Sequence, residues 1–124
     1  MPSTIRGSDN FDSGRFESAE QTITAAGGLT IPHGLGVKPF MVQCELICKV
    51  AALGYSVGDI VIVQDAQASS SAADAYGLSL VCDNTNINIR MGSDEEVFIV
   101  INKTTGAGAN ITATDWKLIV KAIA

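Results

Sequence analysis

The side chains best suited to hold a metal or to act as base or nucleophile are His33, the one histidine, and the three cysteines Cys44, Cys48 and Cys82. His33 lies between Pro32 and Gly34, where a ring could be presented to solvent. Catalysis by histidine, however, needs an acid or a nucleophile held within hydrogen-bond reach, and no paired motif such as a nucleophile elbow accompanies it. His33 therefore reads as a corner residue whose ring packs or bonds a local carbonyl. Cys44 and Cys48 are four apart in an alternating stretch, and on a strand that places them about 13 Å from each other. One zinc ion holds each sulfur at about 2.3 Å, so the two share neither a metal nor a mutual disulfide. They read as core-filling thiols, and an odd cysteine number without framework spacing fits a reducing compartment.

Other polar groups give no stronger site. The run Asp94-Glu95-Glu96 and the cluster Asp83, Asn84, Asn86 lack the alternating oxygens and the turn glycine of a calcium loop, and both read as solvated turns. The glycines of Gly34-Leu35-Gly36 lack the following helix that a phosphate cradle needs. Asn102-Lys103-Thr104 and Asn110-Ile111-Thr112 fit the glycosylation pattern, which carries no meaning without secretion. Trp116 and Tyr55 could stack on a sugar ring, but a carbohydrate platform wants several exposed aromatics, and Trp116 opening an alternating strand reads as core. No catalytic, cofactor or metal site is expected, and the chain reads as a non-enzyme.

Composition sets the frame for these residues. A chain of 124 residues makes one domain with a real core. Hydrophobic residues are 47% and charged ones 17%, against about a quarter charged in an ordinary soluble domain; apolar surface is therefore expected to be buried against other chains. A net charge of −5 with scattered Lys and Arg argues against nucleic acid as partner. No apolar run approaches the roughly 18 residues of a membrane span, and the N-terminus lacks the apolar stretch of a secretory signal. Folding in a cytoplasm, with no membrane partner, is the expectation.

Residues 1–20 show no period and read as an extended arm anchored by Ile5, Phe11 and Phe16. The arm is expected either to lie on a partner or to fold back on its own domain. Residues 21–124 read as one β domain. Gln21–Ala25 alternates as a first short strand ended by Gly27-Gly28. Pro32, His33, Gly34, Gly36 and Pro39 make a corner with no room for a helix. From Phe40 to Val50, the residues Phe40, Val42, Cys44, Leu46, Cys48 and Val50 fall on a core face and Met41, Gln43, Glu45, Ile47 and Lys49 on the other. Ile60, Val61, Ile62 and Val63 are apolar on both faces, as is Val97–Ile101 with Phe98 and Val100; such strands lie centrally in a sandwich or at an oligomer interface. Gln67–Asp74 reads as an exposed loop and Thr104–Asn110 as a hairpin connection. Tyr76–Cys82 pairs with Asn86–Met91, and Ile111–Ala124 closes the domain with Trp116, Leu118, Val120 and Ala122 on one face. Seven or eight strands without a helix predict an all-β, antiparallel, jelly-roll-like sandwich, with a barrel of the same strands as its near neighbour.

The corner Ile31-Pro32-His33-Gly34-Leu35-Gly36-Val37-Lys38-Pro39, the alternating strand after it and Gly54-Tyr55-Ser56-Val57-Gly58-Asp59 together resemble small β-rich virion proteins of tailed bacteriophages, from tail-fibre tips and head or tail decoration proteins. The similarity spans Ile31 to Asp59. It implies a non-enzymatic, multi-copy particle component assembled in the host cytoplasm, often a homotrimer. A capsid decoration (cement) protein docked on other virion proteins through its arm is the favoured expectation. A tail-fibre or receptor-binding tip comes second, because 124 residues leave no room for a long shaft. A carbohydrate-binding module comes third, with a glycan receptor left open as partner.

Overall fold

A computed structural model describes residues 14–63, 66–67 and 75–124. Ile5 and Phe11, and residues 68–74 of the expected loop, lie outside them. The described chain is all-β and antiparallel, with two four-stranded sheets, a two-stranded ribbon and no closed barrel. The first sheet has the order β1 (Arg15–Glu17), β10 (Trp116–Ile123), β3 (Met41–Cys48), β4 (Ile60–Ile62). The second runs β2 (Gly28–Pro32), β7 (Asn86–Met91), β6 (Tyr76–Cys82), β5 (Ala66–Gln67). The ribbon pairs β8 (Ile99–Ile101) with β9 (Gly108–Asn110).

The strands with the cleanest alternation form the centre. In β10, Trp116, Leu118, Val120 and Ala122 are buried, and in β3 so are Cys44, Leu46 and Cys48. Period-two alternation puts these seven on one face of the paired strands, where the register sets Trp116 opposite Cys48 and Leu118 opposite Leu46. Ile31 of β2, Leu78 of β6 and Ile87, Ile89 and Met91 of β7 belong to the same core cluster. Both sheets therefore bury apolar faces in one core. Phe40 and Val50 do not join it, at 68% and 51% exposed, because β3 stops short of both.

Several elements depart from the sequence reading. Gln21–Ala25 is not a strand: Gln21 makes one isolated bridge to Leu118, and pairing resumes at Gly28, the second of the two glycines expected to end it. From Gly14 onward the stretch read as an arm lies along β10. The Ala124 N–H donates to the Gly14 carbonyl at 2.8 Å and the Ser18 N–H to the Val120 carbonyl at 2.8 Å, and Phe16 packs half-buried against the core. The expected strand Val97–Ile101 begins only at Ile99, because Val97 sits in the left-handed region at φ 69°, a conformation that a β-branched residue adopts only when its surroundings impose it. Ile60–Val63 is not central. It runs into β4, the edge strand of the first sheet.

Candidate interaction surface

The corner is built around the His33 ring. His33 is buried, with its Nδ1 accepting the Leu35 N–H at 3.0 Å and its Nε2 2.8 Å from the Asp83 carbonyl oxygen. Since Nδ1 is the acceptor, Nε2 carries the hydrogen and donates it, which fixes the neutral tautomer. Gly34 and Gly36 take φ 67° and 80°, the left-handed turns that let the loop fold over the ring. Both ring nitrogens are thus spent, Nδ1 holding the corner's own backbone and Nε2 tying the corner to the β6–β7 turn. Pro39 is buried at the end of the corner while Pro32 is exposed in β2.

The Asp83 carboxylate organises that turn, accepting the Asn86 N–H at 2.6 Å and the Thr85 N–H at 2.8 Å. These bonds, Asn86 first, hold its carboxyl below the usual carboxylate range. A lowered folded-state value stabilises the fold above the ordinary carboxylate range, and the contribution is lost as pH falls through the lowered value. Thermal unfolding followed from neutral into acid pH should therefore show a falling midpoint, and Asp83→Asn should flatten that fall. Asp59, lowered by the Ser56 N–H and then by Lys103, supplies part of the remainder with the same sign.

The cysteines do not meet. Cys44 and Cys48 are buried, none of the three is in a disulfide, and burial pushes the half-buried Cys82 thiol up against the opposing pull of Lys38. Among the described residues no three His, Cys, Asp or Glu side chains come together as a metal set. Trp116 is fully buried and meets Tyr55 edge-on, with ring centroids 5.6 Å apart and planes at 79°. Trp116 therefore offers no face to a sugar ring.

The residues expected at an oligomer interface divide sharply. Phe98 and Val100 are 1% and 7% exposed and sit in the chain's own core, so they are corrected from interface to core. Val61 and Val63 pack half-buried on that core, while Ile60 and Ile62 point outward, 49% and 63% exposed. Their backbone is also turned outward. Asp59 and Val63 bond to β3, through Cys48 N–H to Asp59 carbonyl and Val63 N–H to Cys44 carbonyl, both 2.9 Å. Antiparallel alternation then turns the N–H and C=O groups of Ile60 and Ile62 to the edge that no other strand among the described residues covers. The same alternation turns those of Ile99 and Ile101 away from β9, and a groove of about 330 Å³ lies between β4 and β8. The Tyr55 hydroxyl closes one end by donating to the Ile101 carbonyl at 2.7 Å, beside the Lys103–Asp59 ion pair at 3.2 Å.

The outer face of the first sheet carries a feature that sequence reasoning missed. Glu45 stands on it between Ile119 of β10 and Ile62 of β4, yet it is only 5% exposed. Its carboxylate pairs with Lys121 Nζ at 3.1 Å and accepts from Gln43 Nε2. Around it stand Ile47, Ile60, Ile62, Ile119 and, at the other end, Met41 opposite Ile123. The outer face of the second sheet differs: its register rows are Thr30, Asn88 and Val81, then Gly28, Arg90 and Ser79. Arg90 lies across Gly28, where a side chain would come within 3.0 Å of the guanidinium, and donates to the Ala26 carbonyl at 2.9 Å.

Compared with known proteins, the chain matches no family model and no curated sequence.

Proposed function

We propose that this chain is a non-enzymatic structural component of a tailed-phage virion, a capsid decoration protein that works as a homo-oligomer. The observation that carries the reading is the contrast between the two outer faces. One is mostly polar, with Thr30, Asn88, Arg90 and Ser79 around the exposed Val81. The other gathers isoleucines around Glu45, whose carboxylate is buried while its partner Lys121 stays 40% exposed, beside a strand edge that no other strand among the described residues covers. An exposed apolar patch rimmed by charges is the usual mark of an interaction surface, and an unpaired edge is a template for further pairing. The phage assignment rests on the resemblance of Ile31–Asp59, whose His33 corner and Gly54-to-Asp59 turn are both tightly bonded features of the fold. In this reading the two sheets form a sandwich; β5, β6 and β7 lie side by side as a meander, so kinship with jelly rolls is in the layering and not in strand order.

Docking on other virion proteins falls to residues 1–13 with Ile5 and Phe11, since Phe16 is engaged in β1. The trimer belongs to the resemblance. Mass spectrometry and immunogold labelling of purified particles test the assignment. The chain should be present in many copies with label over the head. Label confined to the tail tip would favour the receptor-binding alternative, and absence from particles would overturn the virion reading.

A further inference from the structure

We infer that a second copy of this chain covers the outer face of the first sheet, the two copies meeting through the same face around Ile60, Ile62, Met41 and the Glu45–Lys121 pair. The inference deepens the oligomer reading above and rests on it. Met41 is 59% exposed and Ile60 and Ile62 are 49% and 63% exposed, with Ile47 and Ile123 half-buried beside them. Together these side chains offer on the order of 400 Å² of apolar surface, and the stems of Lys117 and Lys121 extend it. A stable interface takes roughly 800 Å² from each partner, a little over half of it apolar. The face therefore supplies close to the apolar share that one copy must contribute.

Charge points to the chain itself as occupant. Arg15 and Glu17 lie on β1, with Glu17 in register with Lys121, and Lys117 and Lys49 carry positive charge elsewhere on the face. Lys49 pairs with Glu20 at 3.2 Å. A rim of one sign would select an oppositely charged stranger. Interspersed signs suit a two-fold contact, in which each patch meets its own image. Glu45 is already out of water, so covering it removes little further hydration, and Lys121, 40% exposed, keeps that carboxylate as its partner when the face is covered.

Cross-linking decides the matter. In full-length chain carrying Cys82→Ser, so that the remaining native thiols are buried, Ile62→Cys treated with a short bis-maleimide should shift from one chain mass to two. Val81→Cys, on the opposite sheet and 63% exposed in its native form, should stay at one. If Ile62→Cys stays at one mass while the untreated protein sediments as an oligomer, the copies meet elsewhere; the inference then falls and the assembly reading stands. If the thiol introduced by Ile62→Cys resists the reagent in a monomer and reacts once residues 1–13 are removed, the chain's own N-terminal segment covers the face and both fall. An introduced thiol that reacts freely in a monomer likewise overturns both.

Discussion

Truncating Trp116 to alanine should destabilise the fold by about 3–5 kcal/mol, the usual loss for a large aromatic removed from a core. Trp116 is fully buried, opposite Cys48 at the junction of the 3-10 turn Ala113–Asp115 with β10. Its edge contact with Tyr55 matters beyond area, because the Tyr55 hydroxyl holds the Ile101 carbonyl. Losing the indole loosens the tie between the first sheet and the β8–β9 ribbon as well as opening a cavity. Trp116→Phe should lose far less. The indole Nε1 is buried with no hydrogen-bond partner among the described residues, so removing it relieves an unsatisfied donor and offsets part of the lost packing. Urea unfolding of the two variants checks both statements. An alanine variant within about 1 kcal/mol of the parent would mean that this corner of the core is not packed as described.

What the sequence made legible follows from how directly each signal reports its cause. Strands with one apolar face announce themselves by alternation, so β6, β7 and β10 were readable to within a few residues, as was the core face of β3. A strand apolar on both faces is ambiguous, because sheet centre and uncovered edge demand the same composition. Ile60–Val63 turned out to be the edge, and Val97–Ile101 was cut short by the left-handed Val97. β1 and β9 were invisible for the opposite reason: Arg15-Phe16-Glu17 and Gly108-Ala109-Asn110 have little strand preference and are held by pairing to stronger partners. The corner around His33 was legible from its glycines and prolines, but the carbonyl its ring bonds is not local: it belongs to Asp83, fifty residues away, and only the fold reveals it. Glu45 was counted among polar outward residues. Only the register that brings Lys121 beside it and isoleucines to either hand shows that it is buried, and no local pattern carries register.

Self-association through the face that carries Ile60 and Ile62 is the central claim. Replacing both with lysine leaves the core untouched, since the two side chains point away from it, and places two like charges at the centre of the contact, where unpaired charge is costly to bury. Sedimentation of wild type and of Ile60→Lys/Ile62→Lys at micromolar concentration is the most direct measurement. Wild type should sediment at a multiple of the 12.9 kDa chain, and the double variant as a folded single chain. A wild type that sediments as a monomer, or a double variant that assembles as well as its parent, would contradict the claim.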